Sequence, residues 1–237
     1  MNDIYHRLHL AGETQDCAEI LETLAAMQAG KLKNDLRLLN FYREVPVSYG
    51  AEVLTVEESH AELLVHQVQA VVIADEKLTV LKSSHFPKDV VASVTYVNVE
   101  KSRVVLSNLG YTVVRADRRM SVRVQLGVSL DAAFAAPEHD ELHGRLHDMS
   151  LTGISINVAC DPGIALSQKG ELSIALPAGS ITVPASLLKV THFDGGSRLV
   201  FEIEPTRAQE LGISQYIFQR QVEIIKELKD HPGVAAA

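Results

Sequence analysis

Tryptophan is absent, and aromatic residues of all kinds make up only 5% of the 237-residue sequence. A surface that grips single-stranded bases by stacking needs exposed rings, so the shortage argues against one. The only cysteines, Cys17 and Cys160, are too few and too far apart for a disulfide framework or a cysteine zinc site. A reducing cytoplasm suits such a chain. Positive charge is also short: 22 Lys+Arg stand against 30 Asp+Glu, a formal net charge of −8. Binding DNA or RNA takes a broad basic surface, so no nucleic acid polymer is expected as a partner. No apolar run approaches the length of a membrane span, so no membrane insertion is expected. The opening stretch, MNDIYHRLHLAGETQD, carries charges throughout and lacks the apolar stretch of a signal peptide.

Hydrophobic residues nevertheless reach 46%, enough for one large core or two small ones. Three patterns follow one another. Residues 1–40 read as helical: Asp16 and Glu19 have capping-box spacing, Ile20, Leu21, Leu24, Ala25 and Met27 fall on one stripe, and Gly30 suits a helix stop. Leu36, Leu38 and Leu39 suggest a second short helix. Residues 41–114 switch to β-rich runs, among them 51–56, 61–68, 70–74, 78–82, 90–99 and 102–109, with a hairpin turn at 99–102. A further β-rich series fills 111–204, punctuated by Gly and Pro. Beyond Pro205 a period of 3.6 returns, with Phe218, Val222, Ile225 and Leu228 on one face and Arg220, Glu223, Lys226 and Glu227 off it. That face is expected against the barrel or a second protomer, so a homodimer is among the readings. The expectation is a mainly β protein of two small antiparallel barrels, with a helical segment at 1–40, a barrel domain at 41–114 and a second domain at 115–230.

Two segments carry the chemistry. In an acidic chain, Arg115, Arg118, Arg119 and Arg123 crowd into nine residues with only Asp117 against them. A guanidinium is a planar fork of donors that suits two acceptors at once, such as phosphate oxygens or the O6 and N7 atoms of guanine. It also stacks on flat rings. The second segment is His147-Asp148-Met149-Ser150-Leu151-Thr152-Gly153. An acid, a hydroxyl and a glycine at this spacing suit a tight turn. They also suit a binding turn, in which a carboxylate accepts from guanine N1 and N2 and glycine lets backbone come close.

Together the segments resemble the two motifs of the PilZ family, RxxxR and [D/N]xSxxG. Here they are Arg119-Met120-Ser121-Val122-Arg123 and Asp148-Met149-Ser150-Leu151-Thr152-Gly153. The resemblance covers 115–228, including the β-series and terminal helix. It implies a small barrel that binds cyclic di-GMP, without catalytic residues, cofactor or metal. Arg119 and Arg123 would clamp phosphate and the Hoogsteen edge of a guanine. Asp148 would read the other guanine edge, Ser150 would reach a phosphate or guanine, and Gly153 would permit close contact. Arg118 would add a third fork that favours a stacked pair of ligands, and Arg115 is an additional candidate. In layout only, the first β-series resembles the split-barrel-like partner domain of flagellar-brake-like PilZ proteins. There the ligand orders the arginine segment between the domains, re-angles one on the other and signals to a protein partner in motility, secretion or polysaccharide output.

Other readings attach to the sequence as well. His139, His143 and His147 recur every four residues, but Pro137 and Gly144 interrupt the helix that a metal site of that spacing would need. No G-x-S-x-G elbow or phosphate-binding loop is present. An adaptor without nucleotide is the main rival, and such adaptors typically lose the arginines and the acid-x-Ser motif kept here. A flavin-binding split barrel is a further alternative, without a basic phosphate clamp in 41–110.

Overall fold

The computed structural model describes residues 5–114, 122–127, 129–137, 139–159 and 163–235. Strand takes 49% of the chain, so it is mainly β. Two compact units divide it: Met1–Tyr42, Pro46–Arg119 and Ile225–Ala237 form one, and Arg43–Val45 with Met120–Ile224 the other.

The first unit begins with β1 (Tyr5–Arg7) and α1 (Glu13–Gln28), followed by β2 (Arg37–Tyr42), β3 (Val45–Val56) and β4 (His60–Val65). After α2 (Gln67–Glu76) come β5 (Leu78–Lys82), β6 (Asp89–Asn98) and β7 (Arg103–Val114). The strand order is β1-β7-β4-β3-β2-β5-β6, and a further β6–β7 pairing closes a six-stranded barrel with β1 added on β7. Alternation builds its interior, as Ala61, Leu63 and Val65 of β4 turn inward and their neighbours do not. Ile20, Leu21, Leu24 and Met27 of α1 join that core beside Leu38, Leu63 and Leu106, so the expected stripe is the buried one except for Ala25, which is half-buried. Gly30 ends the helix at φ 70, its N–H bonded to the Met27 carbonyl.

Three sequence expectations fail here. Leu36, Leu38 and Leu39 are not helical: Leu38 and Leu39 lie in β2, which pairs with β5. Asp16 makes no capping box, because the helix starts at Glu13 with Gly12 as its N-cap. Its carboxylate, 1% exposed, instead accepts from the backbone N–H groups of Leu10 and Ala11. Residues 67–76, which overlap the runs 61–68 and 70–74 read as strands, form α2. The His66 ring accepts from Val68 N–H at its start, and Lys77 caps its end in the left-handed conformation. The misreading has a physical cause. Ala70 and Ile73 of α2 enter the barrel core, while Val68, Val71 and Val72 join a second cluster with Val47 and Leu228. A helix buried on two faces shows no amphipathic period.

The second unit comprises β8 (Val124–Gln125), β9 (Asp131–Ala135), β10 (Leu142–Met149), β11 (Gly153–Val158), β12 (Lys169–Leu176), β13 (Gly179–Phe193) and β14 (Gly196–Ile203). The order β11-β14-β13-β12-β9-β10 closes through a β10–β11 pairing into a six-stranded antiparallel barrel, with β8 also on β10. Phe134 and Phe201, both 0% exposed, meet at 4.6 Å between ring centroids in its core. The terminal helix α3 (Arg207–Lys229) opens with a Thr206–Gln209 capping box, and α4 (Pro232–Ala235) follows it.

Of the expected stripe on α3, Leu228 alone is buried. Ile213, Ile217, Arg220, Ile224 and Leu228 are buried, whereas Phe218, Val222 and Ile225 are exposed. The helix carries two apolar stripes, and periodicity alone does not say which one meets the barrel. Arg220, expected outside, is buried because its guanidinium donates to the Gln125 carbonyl and pairs with Glu223 at 2.9 Å.

Phe134→Ala is expected to cost about 3–5 kcal/mol, the usual loss on emptying a buried aromatic site. A urea titration of folded variant and parent checks it through the shift in midpoint.

Candidate functional site

The two arginine–acid motifs are distant in sequence and meet through one strand pair. β8 runs antiparallel to β10, with Val124 opposite Met149 and Gln125 opposite Asp148. Arg123, the last arginine of the first motif, therefore stands immediately before β8, beside the acid of the second. Its Nε lies 3.5 Å from Asp148 Oδ1. That Nε is buried and makes no hydrogen bond among the described residues. A buried guanidinium N–H without an acceptor is costly, and a bound anion or base acceptor would remove the cost.

The second motif is a hairpin. Ser150 N–H donates to the Gly153 carbonyl, leaving Leu151 and Thr152 as a two-residue loop between β10 and β11. The Ser150 hydroxyl also donates to the Gly153 carbonyl and accepts from Gly153 N–H, each at 3.0 Å. Ser150 is thus 4% exposed and works within the turn. Gly153 has little room for a side chain: a β-carbon there would stand 3.3 Å from the Phe201 carbonyl oxygen.

Asp148 sits at the centre, only 6% exposed. Its Oδ2 accepts from the Ser155 hydroxyl at 2.7 Å and lies 2.8 Å from His147 Nδ1. Burial pushes its pKa up, but the hydrogen bonds from His147 and Ser155, with the Arg123 charge, outweigh burial and hold it below the usual carboxylate value. The acid is therefore an anion and an acceptor at neutral pH.

Arg123, Asp148, Ser150 and Gly153 fall together around the β8–β10–β11 junction. Arg115, Arg118 and Arg119 lie outside the described residues. Of the three spaced histidines, His143 and His147 lie in β10 rather than on a helix, His143 beside Glu141 and His147 beside Asp148. Among the described residues no group of three or more His, Cys, Asp or Glu is placed to hold a metal ion. Nor is any described helix long and apolar enough to cross a membrane.

Sequence reasoning missed Ser155. The signal was present, since a two-residue loop between Ser150 and Gly153 places Met149 opposite Ile154 and Asp148 opposite Ser155.

Stability should depend on pH through Asp148. Its lowered pKa contributes stability that is fully present above the ordinary carboxylate value of 3.8 and is lost as pH falls through the lowered one. Asp148→Asn, which leaves the donors around it poorly matched, is expected to cost about 1–3 kcal/mol at neutral pH. The gap between variant and parent in thermal midpoint should narrow as pH drops below that value.

Residues 114–219 match the family model described as PilZ domain. No curated protein matches the sequence. Among solved structures, the fold is similar to that of YcgR from Escherichia coli in complex with c-di-GMP, at 14% identity over 94% of this chain and 95% of that one, with a TM-score of 0.46. It is similar also to the MrkH–c-di-GMP complex of K. pneumonia, at 13% identity over 91% and 97% of the two chains and a TM-score of 0.46. A third likeness is to the Bacillus subtilis inhibitor of motility, MotI/DgrA, at 12% identity over 79% and 95%, with a TM-score of 0.43.

Proposed function

Residues 114–219 belong to the PilZ domain family, and from that premise we propose that the chain is a cyclic di-GMP receptor of the bacterial cytoplasm that acts without catalysis. The observation that carries this reading is the pairing of β8 with β10, which sets Arg123 beside Asp148 and leaves a buried arginine N–H and a buried carboxylate oxygen side by side. A guanine offers both complements, with acceptors on its Hoogsteen edge and donors at N1 and N2.

In this account Arg119 and Arg123 clamp phosphate and the Hoogsteen edge of one guanine, with Arg115 as an additional donor. Asp148 accepts from the other guanine edge through Oδ1, since Oδ2 already serves His147 and Ser155. The Ser150 hydroxyl exchanges its bond to the Gly153 carbonyl for a ligand oxygen, and the bare Gly153 backbone admits the ligand. Arg118 supports a second, stacked ligand molecule. The functional division runs from the first barrel, with α1 in its core, to the receptor domain at 115–230. Fixing the arginine segment between the two passes the signal to a protein partner by changing their arrangement. Charge-assisted hydrogen bonds of about 1.5–3 kcal/mol each are enough to shift a two-state hinge.

Calorimetric titration with cyclic di-GMP tests the reading. The parent should bind saturably, with two ligands per protomer, and Arg119→Ala or Arg123→Ala should weaken binding at least tenfold, as expected from one lost charge-assisted bond. One ligand per protomer would remove the role given to Arg118. No binding by folded, nucleotide-free parent would favour an adaptor that works through protein contacts alone.

A further inference from the structure

Successive residues of a β-strand point to opposite faces, so His147 and Asp148 should not meet. They do, with His147 Nδ1 2.8 Å from Asp148 Oδ2. The cause is a register shift in the β10–β11 ladder between Leu146 and Asp148, which leaves His147 as the extra residue of a bulge. The bulge puts two sequence neighbours on one side and buries most of both, their side chains 20% and 9% exposed.

The ring's surroundings select its hydrogen. Nδ1 faces the carboxylate, an obligate acceptor, while Nε2 faces the Gln125 side-chain amide at 3.5 Å. A ring carrying its hydrogen on Nδ1 satisfies both, donating to Asp148 and accepting from Gln125. From the opposing strand, Ser155 completes the arrangement with its hydroxyl on the same Oδ2. Two donors on Oδ2 fix the rotation of the carboxyl group and leave Oδ1 toward Arg123. Among the described residues, charged residues near this arrangement include Arg123 itself, Arg43, whose carbonyl accepts from Gln125 N–H, and Arg220, which reaches the Gln125 carbonyl and is paired with Glu223.

We propose that His147 and Ser155 are positioning residues: through the β10 bulge they hold Asp148 in the one orientation that presents Oδ1 to a guanine edge. The inference rests on the receptor reading and assigns a function to two residues outside both family motifs. Residues that fix a binding group in advance raise affinity by removing the cost of ordering it on binding.

The test combines affinity for cyclic di-GMP with the state of the ring. His147→Ala and Ser155→Ala should each weaken binding about tenfold, the equivalent of one hydrogen bond to a charged group. His147→Asn keeps an N–H near the position of Nδ1 and should restore most of the affinity. Thermal melts establish that each variant is folded. Nitrogen-15 spectra of the ligand-free parent should show the hydrogen of His147 on Nδ1, which a merely space-filling histidine has no reason to favour. Parent-like affinity in folded His147→Ala and Ser155→Ala, failure of His147→Asn to rescue, or a hydrogen on Nε2 would each overturn the positioning role. A parent that binds no cyclic di-GMP would instead remove the receptor reading on which the role rests.

Discussion

A carboxylate taken out of water loses strong hydration, and at Asp148 four neighbouring features compensate for that loss. A hydroxyl and an imidazole meet one oxygen, a guanidinium faces the other, and the strand pairing keeps all three at close range. The compensation is uneven. Oδ2 is well supplied, whereas among the described residues Oδ1 has a 3.5 Å approach from an arginine N–H that is itself without a hydrogen bond there. On the proposed reading, that imbalance leaves one acceptor and one donor that a ligand with both kinds of edge can satisfy together.

The barrel exists, in this view, to hold that imbalance steady. Its closure through β10 and β11 fixes the hairpin that carries the second motif, and β8 attaches the end of the first motif to the same strand. The Ser150–Gly153 turn is rigid because backbone and hydroxyl both bridge it. Behind the site, Arg220 ties α3 to the Gln125 carbonyl, one residue from the strand position opposite Met149.

Much of this was legible in the sequence, for reasons tied to particular residues. Alternation in runs such as Leu199, Phe201 and Ile203 has one physical reading, a strand with one buried face, and the second barrel follows from it. The arginine cluster stood out because the rest of the chain is acidic, and Asp148-x-Ser150-x-x-Gly153 because turn chemistry limits which residues fit. Failures came where burial was two-sided or partnered. Helix α2 is apolar on two faces, so its β-branched valines read as strand. Arg220 is inside because of partners distant in sequence, and helical periodicity treated it as surface. The bulge at His147 is a tertiary adjustment that no local pattern announces.

The most direct measurement is a crystal structure of the protein with cyclic di-GMP bound. The account predicts a guanine edge donating to Asp148 Oδ1, Arg123 Nε turned to a ligand acceptor, and His147 and Ser155 still on Oδ2. A ligand seated away from the β8–β10 pair, or one bound with Asp148 untouched, would contradict it.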